Sequence, residues 1–339
     1  MNEHNYCVIL AGGQGVRFWP VSRQNKPKQF LDFFGMGSTL IQQTYYRMSH
    51  VVPAGHIYIL TPEEYKPLVK DQIPTISEEN LLVEPLRRNT GPAAVWATSK
   101  VYERDTEANL VVVPADQLIM REDLFQKDML HGLEFVARTK KVLAMGVNPT
   151  RPEPDYGYIQ KSEIEVGGCY RVQSFTEKPE TEFAKFFVEC REFLWNTGIF
   201  LWNAAGVQEQ QKRHIEEVLN AYTSSPNEKL DEMVLEKTEN VYVMECNFGW
   251  ADIGSWQSFY DLSPKDSGDN VVPESNALCY ESKGNVICAP TDHLVVVDGL
   301  TDYVVIEHDN VLVICPKNNA GKWRKYVNDV RMNSDEKFV

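Results

Sequence analysis

Residues 10–31, which read LAGGQGVRFWPVSRQNKPKQFL, combine three glycines and four cations with no acidic residue before Asp32. The whole chain has a formal net charge of -14, so this basic segment stands against an acidic background. Glycines let a backbone approach a ligand closely, main-chain N–H groups bind phosphate oxygens, and cations neutralise them. The segment predicts a site for a triphosphate-sized polyanion, with charge supplied by Arg17, Arg23, Lys26 and Lys28.

Two common phosphate-binding loops do not fit this segment. Gly15 is followed by Val-Arg, so the Gly-Lys-Ser/Thr end of a Walker A loop is missing. Phe18 stands where a GxGxxG dinucleotide motif needs its third glycine, and Pro20 and Pro27 would break the helix that must follow. A nicotinamide-dependent oxidoreductase is therefore disfavoured.

The pattern GGxGxRxWPxSRxxxPKQF closely resembles the signature of the sugar-1-phosphate nucleotidyltransferases. Its Trp19-Pro20 and Lys28-Gln29-Phe30 variants resemble the mannose-1-phosphate guanylyltransferase branch of that family. The resemblance covers the chain from Cys7 to roughly Val330. It implies transfer of GMP from GTP to α-D-mannose 1-phosphate, giving GDP-mannose and pyrophosphate by in-line attack on the α-phosphate.

The resemblance also implies roles for residues of this loop and of two acidic motifs. Arg17 would bind the β- and γ-phosphates, and Lys28 the α-phosphate or the sugar phosphate. The nucleotide would further contact Leu10, Ala11, Gly12, Gly13 and Gly15. Asp116, after the apolar run 111–113, and Asp252, in GWADIGSW, would together hold the essential Mg²⁺. Without the resemblance, Asp116 would be interpreted as a turn residue, and Asp252 would be interpreted as the N-cap of a helix starting near Gly254.

Further motifs resemble the base-reading and sugar-binding segments of the family. Asn89 and Thr90 would meet the purine or ribose, although both suit simple capping of the following helix. Glu84 is the predicted acceptor for guanine, because only a pair of acceptors rewards its N1–H and N2–H₂ groups over adenine. The sugar phosphate would be bound by Gly157, Glu177, Lys178 and Asn196, where Glu177 and Lys178 also read as a solvated pair at a strand end.

Three positions depart from the family pattern. Gln117 stands where His is frequent after the acidic motif, and Thr197 and Ala251 stand where Ser is common. The change at Gln117 puts contacts around the metal site in doubt, but it leaves the reaction class unchanged.

The elements that must position these residues follow an alternating β-α-β pattern through roughly the first 260 residues. Strands are predicted at 6–10, 56–60, 81–83, 110–113, 142–145, 158–161 and 171–177, and helices at 39–49, 92–104, 124–138, 181–188, 204–222 and 227–235. The pattern indicates an α/β fold with a Rossmann-like, mainly parallel sheet flanked by helices. Ligands of such sheets bind beyond the carboxyl ends of the strands.

After about Lys265 short β-rich runs recur at 276–280, 286–288, 293–297, 303–307 and 311–315, before a helix at 320–329. This change in the sequence pattern predicts a catalytic domain over 1–264 and a small C-terminal β domain over 265–339. The resemblance implies a short left-handed β-helix in the second domain, although no clean hexapeptide repeat is visible.

Composition excludes several classes of protein. An acidic chain lacks the basic face that nucleic acids require. No run of about 18 apolar residues is present to cross a membrane, and the first residues do not resemble a signal peptide. Seven scattered cysteines without a CxxC pair argue against a disulfide framework or a zinc site. We expect a cytoplasmic protein, and the resemblance implies a homodimer.

Two alternatives remain open at this point. One keeps the chemistry but changes a substrate, to another hexose 1-phosphate or to dTTP or UTP. The other is a catalytically silent homologue that binds sugar nucleotides as a regulatory subunit. Such a homologue should have lost a metal-binding acid or a loop cation, whereas Arg17, Lys28, Asp116 and Asp252 are all present.

Overall fold

The computed structural model describes residues 2–84, 89–207, 241–273 and 275–339. By its internal contacts the chain divides into two compact units. The first unit comprises Met1–Gly12 and Thr44–Ala251, and the second comprises Gly13–Gln43 and Asp252–Val339. The basic loop of residues 13–31 thus belongs to the same unit as the C-terminal residues. The predicted domain boundary at residue 264 stays a prediction.

The first unit is built on a nine-stranded sheet within the described residues. Its strands are β1 (Asn5–Leu10), β2 (Ile57–Thr61), β3 (Leu81–Val83), β4 (Asn109–Pro114), β6 (Val142–Val147), β7 (Tyr158–Val166), β8 (Cys169–Thr176), β9 (Phe193–Asn203) and β10 (Val241–Cys246). Their order across the sheet is β3-β2-β1-β4-β9-β6-β10-β8-β7. The helices are α1 (Leu40–Ser49, which begins in the second unit), α2 (Lys66–Gln72), α3 (Thr90–Tyr102), α4 (Glu122–Thr139) and α5 (Thr181–Glu189). Two short strands, β5 (Gln117–Ile119) and β11 (Trp250–Asp252), lie outside the large sheet.

The expectation of a mainly parallel sheet holds for β3, β2, β1 and β4, which pair in parallel. Beyond β4 the sheet is mixed, because β9 runs antiparallel to both β4 and β6. The hairpin of β7 and β8 adds three more antiparallel pairings, between β7 and β8, β8 and β10, and β7 and β9, and only β6 and β10 are parallel in that half. Neither β9 nor β10 is predicted from the sequence, so the reversal of direction is a finding of the structure.

Burial on both faces explains why the central strands read as apolar runs. Val8 of β1 and Val112 of β4 are fully buried, and they share a core with Ala94 and Ala97 of α3. Small side chains on α3 let that helix lie close to the sheet. The predicted helix at 227–235, and that at 204–222 beyond residue 207, lie outside the described residues.

The second unit contains the basic loop, helix α6 (Trp256–Leu262), five strands and helix α7 (Trp323–Asn333). The strands are β12 (Asn276–Tyr280), β13 (Val286–Cys288), β14 (Leu294–Asp298), β15 (Tyr303–His308) and β16 (Val311–Pro316). The loop joins this unit through aromatic side chains: the Phe18 ring lies 5.1 Å from that of Trp256 and 4.7 Å from that of Phe33.

The predicted β-rich region after residue 265 is confirmed, and its parallel pairings have a regular spacing. Asn276 pairs with Leu294, and Val286 pairs with Val304, so each partner lies eighteen positions further along the chain. The neighbouring strands β15 and β16 form an antiparallel pair instead. The short left-handed β-helix stays a prediction.

All seven cysteines are free thiols, as the sequence indicates. Burial raises the pKa of Cys288 to about 12 and that of Cys315 to about 11. Thiols of this kind stay protonated and unreactive near neutral pH. No helix in the described part of the chain is long and apolar enough to cross a membrane.

Candidate active site

The glycine-rich segment of the second unit is held in a conformation that only glycine fits well. Gly15 has a φ of 62°, in the left-handed region. A Cβ at this position would lie 2.5 Å from Ser22 Oγ and 3.0 Å from Lys28 Cγ. Since both contacts are too close, the turn at Gly15 requires the absence of a side chain.

Two polar side chains of the loop bind carbonyls of the glycine-rich segment. Gln29 Nε2 donates to the Gly13 carbonyl at 3.0 Å, and Ser22 Oγ donates to the Gln14 carbonyl at 3.2 Å. Ser22 and Gln29 were not singled out from the sequence. Both residues are fixed polar positions of the signature, and neither has a charge that could bind a phosphate. This combination is the sequence signal that could have identified them.

Arg17, Lys28 and Asp252 come together around Ile253 and Gly254. The buried Lys28 donates from Nζ to the Ile253 carbonyl at 2.8 Å. A Cβ on Gly254 would lie 2.6 Å from Asp252 Oδ2 and 3.5 Å from Arg17 Nη2. The structure therefore brings two of the predicted catalytic cations and one predicted metal-binding acid to the same short segment.

The alternative role of Asp252 as a helix cap is wrong. The N-cap of α6 is Ser255, whose side chain accepts from the Ser258 N–H, and Ser258 Oγ accepts from the Ser255 N–H in return. This reciprocal arrangement satisfies the N-terminus of the helix without a carboxylate. Asp252 lies three positions before the cap, beside Gly254.

The loop cation Arg23 does not have the predicted role. Its side chain is 8% exposed, and its guanidinium donates to the carbonyls of Pro20, Lys337, His308 and Asp309 at 2.8–3.1 Å. A guanidinium has five N–H donors in a fixed fork, and here they bind main chain. Arg23 therefore secures the loop instead of presenting its N–H groups to a phosphate. Lys26, by contrast, is exposed.

In the first unit, the predicted nucleotide-binding residues lie at the carboxyl ends of neighbouring strands. The Ala11 N–H donates to the Leu60 carbonyl at 2.8 Å, and the Ala115 N–H donates to the Leu10 carbonyl at 3.0 Å. The second bond places Asp116, the next residue after Ala115, beside the end of β1. This is the edge at which open α/β sheets bind their ligands.

Glu84 lies at the same edge. Its N–H donates to the Thr61 carbonyl at 3.0 Å, which continues the pairing of β3 with β2. A Cβ on Gly12 would lie 3.6 Å from Glu84 Oε2. The predicted guanine acceptor is thus close to Gly12, two residues after the end of β1.

Asn89 and Thr90 stand at the start of α3, and both are exposed. Asn89 occupies the N-cap position with a φ of 65°, but its side chain makes no capping hydrogen bond. The Asn89 side chain therefore does not cap α3, and the simple capping role is wrong for this residue.

The predicted sugar-binding residues Gly157, Glu177 and Asn196 are brought together by the pairing of β7 with β8 and β9. The Gly157 carbonyl accepts from the Asn196 N–H at 2.8 Å. A Cβ on Gly157 would lie 3.0 Å from Glu177 Oε2. A carboxylate and two stretches of backbone thus meet at one place, while the Asn196 side chain accepts from the Gly198 N–H at 3.0 Å.

Lys178 is less firmly placed than these three residues. Its Nζ lies 3.3 Å from Glu177 Oε1, and its side chain is 49% exposed. Its backbone has a φ of 45°, which is unusual for a residue other than glycine. The ion pair matches the alternative reading of Glu177 and Lys178 as neighbours at a strand end, and it leaves the ammonium accessible to an anion.

Two of the departures from the family pattern contact each other. Gln117 Nε2 donates to the Thr197 carbonyl, and Thr197 Oγ1 donates to the Met145 carbonyl at 2.7 Å. Both side chains are buried. The side chain of Gln117, which follows Asp116, therefore binds the main chain of Thr197, which follows Asn196. The sequence did not reveal this contact.

Comparison with known proteins gives a consistent family. The nucleotidyl transferase family model matches residues 6–268. A mannose-1-phosphate guanylyltransferase of Salmonella muenchen is 30% identical over an alignment that covers 96% of this chain and 73% of that protein. The alginate biosynthesis protein AlgA of Pseudomonas aeruginosa is 32% identical, with 95% and 71% covered.

Solved structures agree with these relatives. A structure described as a mannose-1-phosphate geranyltransferase from Thermus thermophilus has a TM-score of 0.86 at 28% identity, and the match covers 97% of this chain and 99% of that one. A UDP-glucose pyrophosphorylase bound to UDP-glucose has a TM-score of 0.53 at 17% identity, covering 75% and 95%. The second likeness shows the fold alone.

Proposed function

Since the chain belongs to the nucleotidyl transferase family, whose members are nucleotidyltransferases, we propose that it transfers GMP from GTP to α-D-mannose 1-phosphate. The products are GDP-mannose and pyrophosphate. The observation that carries the proposal is the convergence of Arg17, Lys28 and Asp252 around Gly254. The names of the relatives support the choice of sugar phosphate.

The proposed reaction is one displacement at phosphorus. An oxygen of the sugar phosphate forms a bond to the α-phosphorus of GTP, and the bond from that phosphorus to the β-phosphate oxygen breaks. The attacking phosphate is ionised at neutral pH, so no general base is needed. The barrier comes from bringing two polyanions together and from charge on the departing pyrophosphate, which positioned cations reduce.

In this proposal Arg17 binds the β- and γ-phosphates, where negative charge grows as pyrophosphate leaves. Lys28 binds the α-phosphate or the sugar phosphate. The Lys28 ammonium has three N–H donors, one of which binds the Ile253 carbonyl and fixes the direction of the side chain. Main-chain groups from Leu10 to Gly15 contact the nucleotide.

Mg²⁺ is the proposed cofactor, with Asp116 and Asp252 as its protein ligands. No group of three or more His, Cys, Asp or Glu side chains is placed to hold a metal within the described ranges. A pair of carboxylates still suits Mg²⁺, which usually keeps several waters and takes oxygens from substrate phosphates. When bound, the ion would neutralise phosphate charge.

Base selection is assigned to Glu84, with Asn89 and Thr90 meeting the base or ribose. A carboxylate accepts from guanine N1–H and N2–H₂, and it finds no such pair of donors on adenine. The exposed amide of Asn89 supports this role, because it is not used for capping.

Sugar selection is assigned to Gly157, Glu177 and Asn196, and Lys178 would bind the sugar phosphate. Glu177 can accept from two hydroxyl groups, and a side chain at position 157 would press against its carboxylate, 3.0 Å away. The contact supports a pocket in which backbone and carboxylate are both close to the sugar ring.

Pyrophosphate release tests the proposal. The protein is incubated with Mg²⁺ and GTP, ATP, UTP or dTTP, each combined with mannose or glucose 1-phosphate. Turnover confined to GTP with mannose 1-phosphate is the expected result. Turnover with another pair would overturn the substrate assignment, and tight sugar-nucleotide binding without any turnover would indicate a regulatory subunit.

Two accompanying proposals concern the state of the protein. We propose a homodimer in the cytoplasm, as the family resemblance implies. Exposed apolar side chains on β12 and β14 support a covered face in the second unit, namely Leu278, Leu294 and Val296. Sedimentation equilibrium would measure the mass, and a monomer at micromolar concentration would contradict the dimer.

A further inference from the structure

We propose that the 336–338 turn and the β15–β16 turn hold the basic loop of residues 13–31 in its binding conformation, with Arg23 and Trp19 as positioning residues. The inference rests on the proposed function and names residues that act on the loop without touching substrate. All of the contacts involved lie within the second unit.

The Arg23 guanidinium binds carbonyls of both turns. Nη1 donates to the Lys337 carbonyl at 2.9 Å, and Nη2 donates to the carbonyls of His308 and Asp309 at 2.8 and 3.1 Å. Nε donates to the Pro20 carbonyl at 2.9 Å, within the loop itself. One buried cation thus joins the loop to two turns that lie some 300 residues further along the chain.

A second, independent bond reaches the same turn. Trp19 Nε1 donates to the Phe338 carbonyl at 2.7 Å, and the Trp19 side chain is 5% exposed. Helix α7, which precedes this turn, packs against residues 16–18 of the loop. Because Trp19 and Arg23 lie on either side of the short stretch 20–22, the loop is held at two points.

The position of Arg17 explains why these contacts should matter for binding. Arg17 lies two residues before Trp19, inside the 3₁₀ turn of residues 16–18. The backbone hydrogen bonds of this stretch are local turns, such as those from the Phe18 N–H to the Gly15 carbonyl at 2.9 Å and from the Ser22 N–H to the Phe18 carbonyl at 3.0 Å, so they shape the loop without tying it to the distant turns. Without the bonds from Trp19 and Arg23, the loop would exchange among conformations, and Arg17 would spend less time near Gly254 and Asp252.

The test compares three variants with the full chain: deletion of residues 335–339, Arg23→Lys and Lys337→Ala. The deletion removes two of the acceptor carbonyls. Lysine at position 23 keeps the charge but cannot reach several carbonyls in one plane. Lys337→Ala is the matched control, because it removes a side chain that is 66% exposed and keeps the carbonyl that Arg23 binds.

For the deletion and for Arg23→Lys, we expect kcat to fall and KM for GTP to rise, with kcat/KM for GTP about tenfold lower, the size expected when one or two hydrogen bonds are lost. KM for mannose 1-phosphate should change less than twofold, because four of its proposed ligands, at positions 157, 177, 178 and 196, belong to the first unit. General destabilisation would not separate the two substrates. Unchanged kinetics in both variants, or equal losses for both substrates, would overturn the inference.

A spectroscopic measurement keeps the inference testable if the deletion variant folds poorly or the full chain shows no turnover. The protein is labelled with fluorotryptophan, and the Trp19 resonance is assigned by Trp19→Phe. In Arg23→Lys this resonance should shift or broaden, and in Lys337→Ala it should not move. An unmoved resonance in Arg23→Lys would show that the loop does not depend on these turns, whatever the reaction proves to be.

Discussion

The two units hold their candidate site residues in different ways. In the first unit, Ala11, Glu84 and Asn196 are placed by main-chain hydrogen bonds that extend the sheet. In the second unit, the loop is placed by side chains that bind carbonyls far away in sequence: Lys28 reaches a carbonyl 225 residues further along, and Arg23 one 314 residues further along.

This difference has a physical cause. A residue at the end of a strand inherits its position from the regular pairing of its neighbours. The backbone of an irregular loop pairs with itself in local turns and extends no sheet, so side-chain contacts must fix its position. Substitutions in the loop should therefore disturb geometry as well as chemistry, whereas substitutions at the strand ends should remove single contacts.

The largest effect is expected for Arg17→Met, which keeps an unbranched side chain but replaces the charged guanidinium by an apolar group. Loss of a cation that stabilises a departing pyrophosphate should lower kcat about a hundred- to a thousandfold. Steady-state kinetics with GTP would measure it. Lys325→Met, at an exposed position of α7, serves as the charge-matched control. A loss below tenfold would mean that Arg17 does not meet the phosphates.

A smaller but still large effect is expected for Gly15→Ala. The left-handed backbone costs a residue with a side chain about 1–2 kcal/mol, and the new Cβ would collide with Ser22. We expect kcat/KM for GTP to fall about tenfold or more. Gly321→Ala is the control, because nothing lies within 4 Å of its Cβ. Equal activity of the two variants would show that the loop tolerates a different shape.

Glu177→Gln should act on one substrate only. A hydrogen bond to a charged group contributes about 1.5–3 kcal/mol, so KM for mannose 1-phosphate should rise at least about tenfold while KM for GTP stays nearly constant. Glu163→Gln, at an exposed position of β7, is the control. If both KM values rise together, the residue supports the fold and does not select the sugar.

The smallest effect is a pH-dependent one at the opposite end of the sheet, away from the candidate site. The hydrogen bond to Asp105, at 2.8 Å, and the charge of that carboxylate raise the pKa of His4. A raised pKa stabilises the fold below the ordinary histidine pKa of about 6.5, and the contribution disappears as pH rises through the folded-state value. His4→Gln should therefore lower the urea midpoint at about pH 5.5 and leave it nearly unchanged at about pH 9. Equal losses at both pH values would contradict this linkage.

Much of the first unit could be predicted from the sequence. The apolar runs of β1 and β4 mark buried strands, and a glycine or an acid directly after such a run marks the edge that binds ligands. The departure of the sheet from parallel pairing could not be predicted. Residues 195–200 resemble a sugar-binding motif, and that interpretation concealed the long strand β9, which reverses the direction of pairing.

The loop was recognisable by composition, but the contacts that hold it were not. Arg17 and Arg23 are the same residue type in the same short segment, and nothing local distinguishes a cation near Asp252 from one that binds four carbonyls. The distinction depends on residues about 300 positions away. From the sequence both arginines are therefore predicted to bind the phosphates, and this prediction is wrong for Arg23.

The proposed reaction is tested most directly by following labelled oxygen. Mannose 1-phosphate with a heavy oxygen isotope at every oxygen of its phosphate group is incubated with unlabelled GTP, Mg²⁺ and the protein. The masses of the products are then measured by mass spectrometry. Attack of the sugar phosphate on the α-phosphorus predicts GDP-mannose that keeps all of the label, together with unlabelled pyrophosphate. Label in the pyrophosphate, or a GDP-mannose that has lost it, would contradict the proposed displacement.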